Sequence, residues 1–247
     1  MGEGAWLAAW GTPGGAEVGC GDPARGGGGR VIHAGPLWLS LEVAGIATVG
    51  AVAVGVPFAR ALAGRRGWAA DLVSTAVLLP MVLPPSVLGW ALLVGIGRGS
   101  VVGAAWESLT GGSLVFTPFA AVIAAFIAAL PFVVRTSQAA FEDVPAPLED
   151  AARTLGCSEI EVFWRVSVPS AWRGLAAGAA LGFARAAGEF GATVMVAGNL
   201  PGRTQTASLA VYDAVQAGRM DEAAALSLAL AGMAGVVLLG VTRWGRR

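Results

Sequence analysis

Five long apolar stretches dominate this 247-residue chain and restrict what it can become. They run over 37–58, 72–96, 119–134, 175–196 and 223–241. A helix needs about 20 apolar residues to cross the hydrocarbon core of a bilayer, and each run approaches that length. Residues 114–116 can lengthen the third run across Pro118. Only 13% of the residues are charged, against about a quarter in soluble domains. The expected fold class is all-α: a polytopic membrane protein with five transmembrane helices.

Arginine placement orients these spans, because basic residues favour the cytoplasmic loops. Arg60, Arg65 and Arg66 follow the first run. Arg135, Arg153, Arg165 and Arg173 lie between the third and fourth, and Arg243, Arg246 and Arg247 end the chain. The opposite loops hold Arg98, Arg203 and Arg219, and the leading tail Arg25 and Arg30. The amino terminus is expected outside and the carboxyl terminus inside. Residues 1–36 are Gly-rich, too poor in apolar surface to build a core, and are expected to be a disordered tail without a cleaved signal peptide. Residues 37–247 form the membrane domain, with a cytoplasmic loop at about 135–173.

Several chemistries are excluded. All 16 basic residues are arginine, so no phosphate-binding loop of the GxxxxGK[ST] type exists in this chain. Cys20 and Cys157 have no metal-site spacing and are expected on opposite sides of the membrane. His33 has no evident ligand partners. No catalytic residue set, metal cluster or cofactor motif is found, and zero formal net charge implies no attraction to nucleic acid.

The longest polar interruption, 147–169, reads PLEDAARTLGCSEIEVFWRVSVP. Pro147 suits a first helical position. Glu149 and Asp150 fall in the first turn, where the helix dipole favours negative charge. Ala151, Ala152, Arg153 and Leu155 are good helix formers, and Gly156 sits where a left-handed helix terminus is expected. Ser158 with Glu161 forms a capping box for a second helix, which Pro169 is expected to end. A short helix pair between spans suits a partner's groove; an ordinary connecting loop is the plainer alternative.

Two spans carry unusual residues. Pro80, Pro84 and Pro85 interrupt the second run, and such breaks are tolerated in lipid only where protein or water satisfies the freed backbone. A kinked or unwound helix beside a solute path is one reading, a packing kink the other. In the fourth run, Glu189 lies near mid-span, where a charged side chain costs on the order of 3 kcal/mol or more. Arg185, four residues earlier, is its helix-face partner. Glu189 reads as a gate or scaffold group rather than an anion ligand, and a structural ion pair is an equal reading. Gly182, Gly188 and Gly191 permit close helix approach. Glu42 in the first run can reach headgroups or water, and SLAVYDAV within 200–222 reads as a short outer helix or a packed connection.

Asp150-Ala151-Ala152-Arg153-Thr154-Leu155-Gly156, then nine residues, then Val166-x-Val168-Pro169, resembles the EAA loop of ATP-binding-cassette importer permeases. The family pattern is Glu-Ala-Ala, three residues, Gly, nine residues, Ile-x-Leu-Pro. Asp150, Val166 and Val168 are mild departures. The segments LPMVLPPSVLGWALLVGIGR, RTSQAAFEDV and ARAAGEFGATVMVAGNLPGRTQT extend the resemblance to the molybdate-type branch over most of the chain. Sulfate permeases are similar around the fourth run, but Phe190 followed by Gly191-Ala192-Thr193 stands closer to the molybdate pattern.

The resemblance implies a type I importer permease fold in the bacterial inner membrane. Two permease copies would line one path, and two cytoplasmic ATPases, binding ATP and Mg themselves, would dock on the loop from Glu149 to Gly156. An external binding protein would deliver molybdate, and alternating access would move it. Tungstate, sulfate or thiosulfate are alternative cargoes, and an ATPase-independent channel is the reading from another class. Pathway or gate candidates are Pro84, Pro85, Ser86, Gly188, Glu189, Phe190, Gly191, Thr193 and Asn199. Hydroxyls and backbone N–H groups at Ser86, Thr193 and Asn199 suit passage of an oxyanion.

Overall fold

A computed structural model of the chain describes residues 34–65 and 67–245, and these are helical with no strand among them. Most of the Gly-rich tail, with Cys20, Arg25, Arg30 and His33, lies outside the described residues, as do Arg66, Arg246 and Arg247. The first helix, α1 (Ala34–Leu62), takes in 34–36, which the sequence assigns to the tail. Pro36 fits there because the opening turn of a helix leaves its N–H groups unbonded in any case.

The core is a layer of small side chains. α1 buries Val43, Ala44, Ala47, Ala51 and Ala59 along one stripe. That stripe packs on α5 (Pro118–Glu142). α5 answers with alanine pairs at Ala120–Ala121, Ala124–Ala125 and Ala128–Ala129, all buried. A third helix, α8 (Val168–Ala187), packs against both. It lies so near α5 that a Cβ at Gly182 would stand 2.8 Å from Val133 Cγ2. Lipid offers little hydrophobic drive between spans, so close backbone approach does the stabilising.

α5 differs from the expected third span. It does not extend back through 114–116, because Thr117 Oγ1 accepts the Ala120 N–H and caps a helix that opens on Pro118. It extends forward to Glu142 instead, so Arg135 is helical. Phe116 stands outside with φ 63° and donates its N–H to Val196 O at 2.8 Å.

The second run is two helices rather than one continuous helix. α2 (Trp68–Val82) and α3 (Pro85–Ile96) are bent by 112°. Leu83 precedes a proline and is driven out of the helical region, to φ −66° and ψ 140°. Pro84 follows at φ −54° and ψ 139°, and Pro85 restarts the chain at a first helical position. Pro80 stays inside α2.

Among the described residues, three helices are long and apolar enough to cross a membrane: α1, α5 and α11 (Met220–Gly245). The α2–α3 pair makes a fourth if counted as one span. The remaining expected span, 175–196, is interrupted. α8 stops at Ala187 and a six-residue helix, α9 (Gly191–Val196), follows. Arg173 and Arg185 and a wealth of Ala and Gly lower the apolarity of α8, which suits a helix packed against three others.

α4 (Val101–Thr110) lies between α3 and α5. α6 (Ala146–Thr154) and α7 (Glu159–Val162) form the polar element. α10 (Ala207–Gln216) contains SLAVYDAV as a helix packed against α11 and α1. Ala207 at its start donates its N–H to Ser40 Oγ at 2.7 Å.

Pro169 does not end a helix. α7 runs through a π-helical turn, Phe163–Ser167, directly into α8, where Pro169 sits in the first turn. A proline inside a helix removes one N–H and collides with the carbonyl four residues back. The wider π register relieves this, and the Val168 N–H reaches back five residues to Phe163 O.

Candidate functional site

The polar element is built as its residue order dictates. Pro147 lies in the first turn of α6, with Glu149 there to oppose the helix dipole. Gly156 carries φ 89°, in the left-handed region where side chains are strained. The Cys157 N–H then bonds Ala152 O at 3.1 Å, closing the helix terminus. Ser158 Oγ accepts the Glu161 N–H while the Glu161 carboxylate accepts the Ser158 N–H, a complete capping box. These bonds hold the Glu161 carboxyl below its usual range.

Arg153 fastens the two short helices. Its Nε donates to Glu159 Oε1 at 2.7 Å, and its Nη1 to Asp150 Oδ1 at 2.9 Å. The bond to Arg153 draws the Glu159 carboxyl down from its ordinary value, and the same contact pushes the Arg153 guanidinium up. Glu149 ties the element to the bundle, through Arg60 of α1 at 2.8 Å and Ser167 of the π turn at 2.6 Å. Phe163 stacks on Phe141 at the end of α5, ring centroids 6.0 Å apart. Ala151, Thr154 and Leu155 face outward, whereas Ala152 is buried. Leu148, Leu155, Ile160 and Trp164 together leave an exposed apolar surface on this otherwise polar element.

The second candidate region surrounds the break between α8 and α9. Glu189 is buried, yet both of its oxygens are satisfied. Oε2 pairs with Arg185 Nη1 at 2.7 Å, and Oε1 accepts the Ala192 N–H at 2.9 Å. The carboxylate thus joins a cation in the last turn of α8 to the opening turn of α9. Phe190 rests on Tyr212 of α10, centroids 5.1 Å apart. α9 lies against α3: Gly191 meets Pro85, and a Cβ at Gly89 would stand 2.6 Å from Met195 Sδ.

The pathway candidates separate into groups. Pro85 and Gly191 are in contact, and Glu189, Gly188 and Phe190 form the break itself. Thr193 is buried, Ser86 and Pro84 are exposed, and Asn199 keeps a buried Oδ1 without a partner. No hydrogen bond joins any two of Ser86, Thr193 and Asn199. Arg60 and Ser167 join the candidate region through Glu149, and the sequence does not flag them for it. Arg60 reads there as a topology charge, and Ser167 between two valines offers only its polarity as a signal.

A bundle of apolar spans with a rigid polar helix pair at one end defines a multi-pass membrane protein. The family model for binding-protein-dependent transport system inner membrane components matches residues 51–246. The chain belongs to that family. It is 36% identical over 217 residues to the molybdenum transport system permease protein ModB of Escherichia coli (strain K12), covering 85% of this chain and 93% of that one. It is 40% identical over 205 residues to ModB of Mycobacterium tuberculosis (strain ATCC 25618 / H37Rv), covering 83% and 77%. A probable sulfate transport system permease protein of Chlorella vulgaris is 37% identical over 149 residues, 60% of this chain and 56% of that one. The inward-facing MetNI methionine ABC transporter shares the fold, with TM-score 0.66 at 18% identity over 85% of this chain and 93% of that one.

Proposed function

We propose that this chain is the permease subunit of an ATP-driven importer for molybdate, with no ATPase site of its own. What carries the reading is identity of 35–40% to permeases named for molybdenum transport, over most of the length of both partners. A sulfate cargo is the second reading, supported by the shorter match to the Chlorella protein.

In this reading two permease copies form one path in the bacterial inner membrane, with the amino terminus outside and the carboxyl terminus inside. A cytoplasmic ATPase, binding ATP and Mg, docks on each element from Glu149 to Gly156, and an external binding protein delivers the oxyanion. The exposed Leu155 and Trp164 support a docking role, because large apolar side chains outside the spans mark partner surfaces. The Arg153 network makes the element a stiff body, so a push on it moves the chain beyond it. Around the α8–α9 break, Pro84, Pro85, Ser86, Thr193 and Asn199 are the proposed path or gate residues.

The test is ATP hydrolysis by the reconstituted complex, stimulated by its binding protein loaded in turn with molybdate, tungstate and sulfate. Stimulation by molybdate is expected. Stimulation by sulfate alone transfers the assignment to the second reading, and hydrolysis unaffected by any loaded binding protein removes both. Side assignment is tested separately. With Cys20 replaced by serine, a membrane-impermeant thiol reagent should label Cys157 in inside-out vesicles and not in intact cells.

A further inference from the structure

Glu149 stands one position before the Asp150-Ala151-Ala152 run, and its carboxylate is held from three sides. Arg60, 89 positions earlier and near the end of α1, donates to Oε2 at 2.8 Å. Ser167, in the π turn that becomes α8, donates to Oε1 at 2.6 Å. Arg153, one turn along α6, lies 3.5 Å from Oε2. The Glu149 side chain is only 13% exposed and that of Arg60 28%, so this pair is screened less than a surface ion pair.

Apolar packing does little to hold α6, for Ala152 is its one buried residue. α6 packs on α7 and the π turn, which connect to α8 through the backbone. The chain reaches α1 from α6 only through α5, whereas the Arg60–Glu149 pair, among the described residues, joins α6 to α1 directly. We infer that Arg60 and Glu149 are positioning residues of the coupling step: together they clamp the end of α1 to the docking element, so that a displacement of α6 moves α1 and α8 as one. The inference rests on the proposed reading of this element as the ATPase dock. It gives a task to Arg60, which no part of the loop motif contains. Ser167 closes the second arm of the same strut, from the opposite carboxylate oxygen.

The experiment measures molybdate taken up per ATP hydrolysed, in proteoliposomes holding the complete transporter and its loaded binding protein. Arg60→Gln is expected to lower that ratio at least about fivefold, within the usual range of coupling between sites. Arg60→Lys keeps the charge and should recover most of it. Arg65→Gln removes a neighbouring charge outside the strut and should leave the ratio unchanged. A wild-type ratio in Arg60→Gln overturns the inference, as does an equal fall in Arg65→Gln. Should Arg60→Gln not assemble with the ATPase, Ser167→Ala keeps every charge and tests the other arm. A lowered ratio there sustains the inference and an unchanged one ends it. Wild-type transporter that hydrolyses ATP without uptake removes the docking reading and the strut with it.

Discussion

Gly191 lies directly against the ring of Pro85, so closely that a side chain on the glycine would overlap the proline. The contact joins the start of α9 to the start of α3, the two places where a span is interrupted. Gly191→Ala is expected to force these helices apart and lower the stability of the assembled protein by about 1–3 kcal/mol, the usual effect of overpacking. Gly188→Ala, three residues away, meets nothing nearer than Ala184 O at 3.6 Å and should be tolerated. Thermal unfolding of the two variants in detergent checks this, and equal behaviour would contradict the packing described.

Gly156 is the reverse case, with open space around it and φ 89°. A β-branched residue there strains the backbone by about 1–2 kcal/mol without any collision. Gly156→Val should therefore reopen the turn between α6 and α7 and uncouple ATP hydrolysis from uptake. Asn tolerates the left-handed region better, so Gly156→Asn should fall between valine and the natural residue in uptake per ATP.

What the sequence discloses here is mostly local. Ser158 and Glu161 are three residues apart, and Gly156 closes a helix whose start Pro147 marks, so the polar element could be read directly. Apolar runs were visible because lipid demands them. The α2–α3 break was visible as three prolines, but its size was not, since the 112° bend depends on Leu83 and Pro84 both being extended. The strut from Arg60 to Glu149 spans 89 positions and leaves no periodic trace. The Arg185–Glu189 pair is legible as a four-residue spacing, but the break after Ala187 is not, because the fourth run reads as one continuous span. The π turn before Pro169 escapes any pattern of three or four residues, because its register is five.

The two carboxylates of α7 predict a pH response in the polar helix pair. Arg153 and the Ser158 cap hold the Glu159 and Glu161 pKa values below the ordinary 4.5. A group depressed on folding contributes stability above its unfolded pKa and loses that contribution as pH falls through its folded one. Order in 146–162 should therefore hold from neutral pH down to about 4.5 and decline below it. Hydrogen exchange at these amides, corrected for its intrinsic pH dependence, measures the change. A Glu159→Gln, Glu161→Gln variant should show no such step.

Glu189 distinguishes a scaffold from a gate. Its side chain is 3% exposed and already spends one oxygen on Arg185 and the other on the Ala192 N–H. A gate that exchanged partners would have to break both bonds in a buried site. The geometry therefore favours the scaffold role that an ion pair between helix ends implies. Glu189→Ala leaves a guanidinium without its partner and α9 without its cap. Breaking a buried pair from one side costs about 3–5 kcal/mol, and the lower end applies because Arg185 is 32% exposed. Glu189→Gln keeps one acceptor oxygen, for the Ala192 N–H or for Arg185 but not for both, and should unfold at a temperature between the alanine variant and wild type. Its assembled complex should still import oxyanion. An assembled Glu189→Gln transporter with wild-type stability and no uptake would instead make the carboxylate charge itself part of the gate.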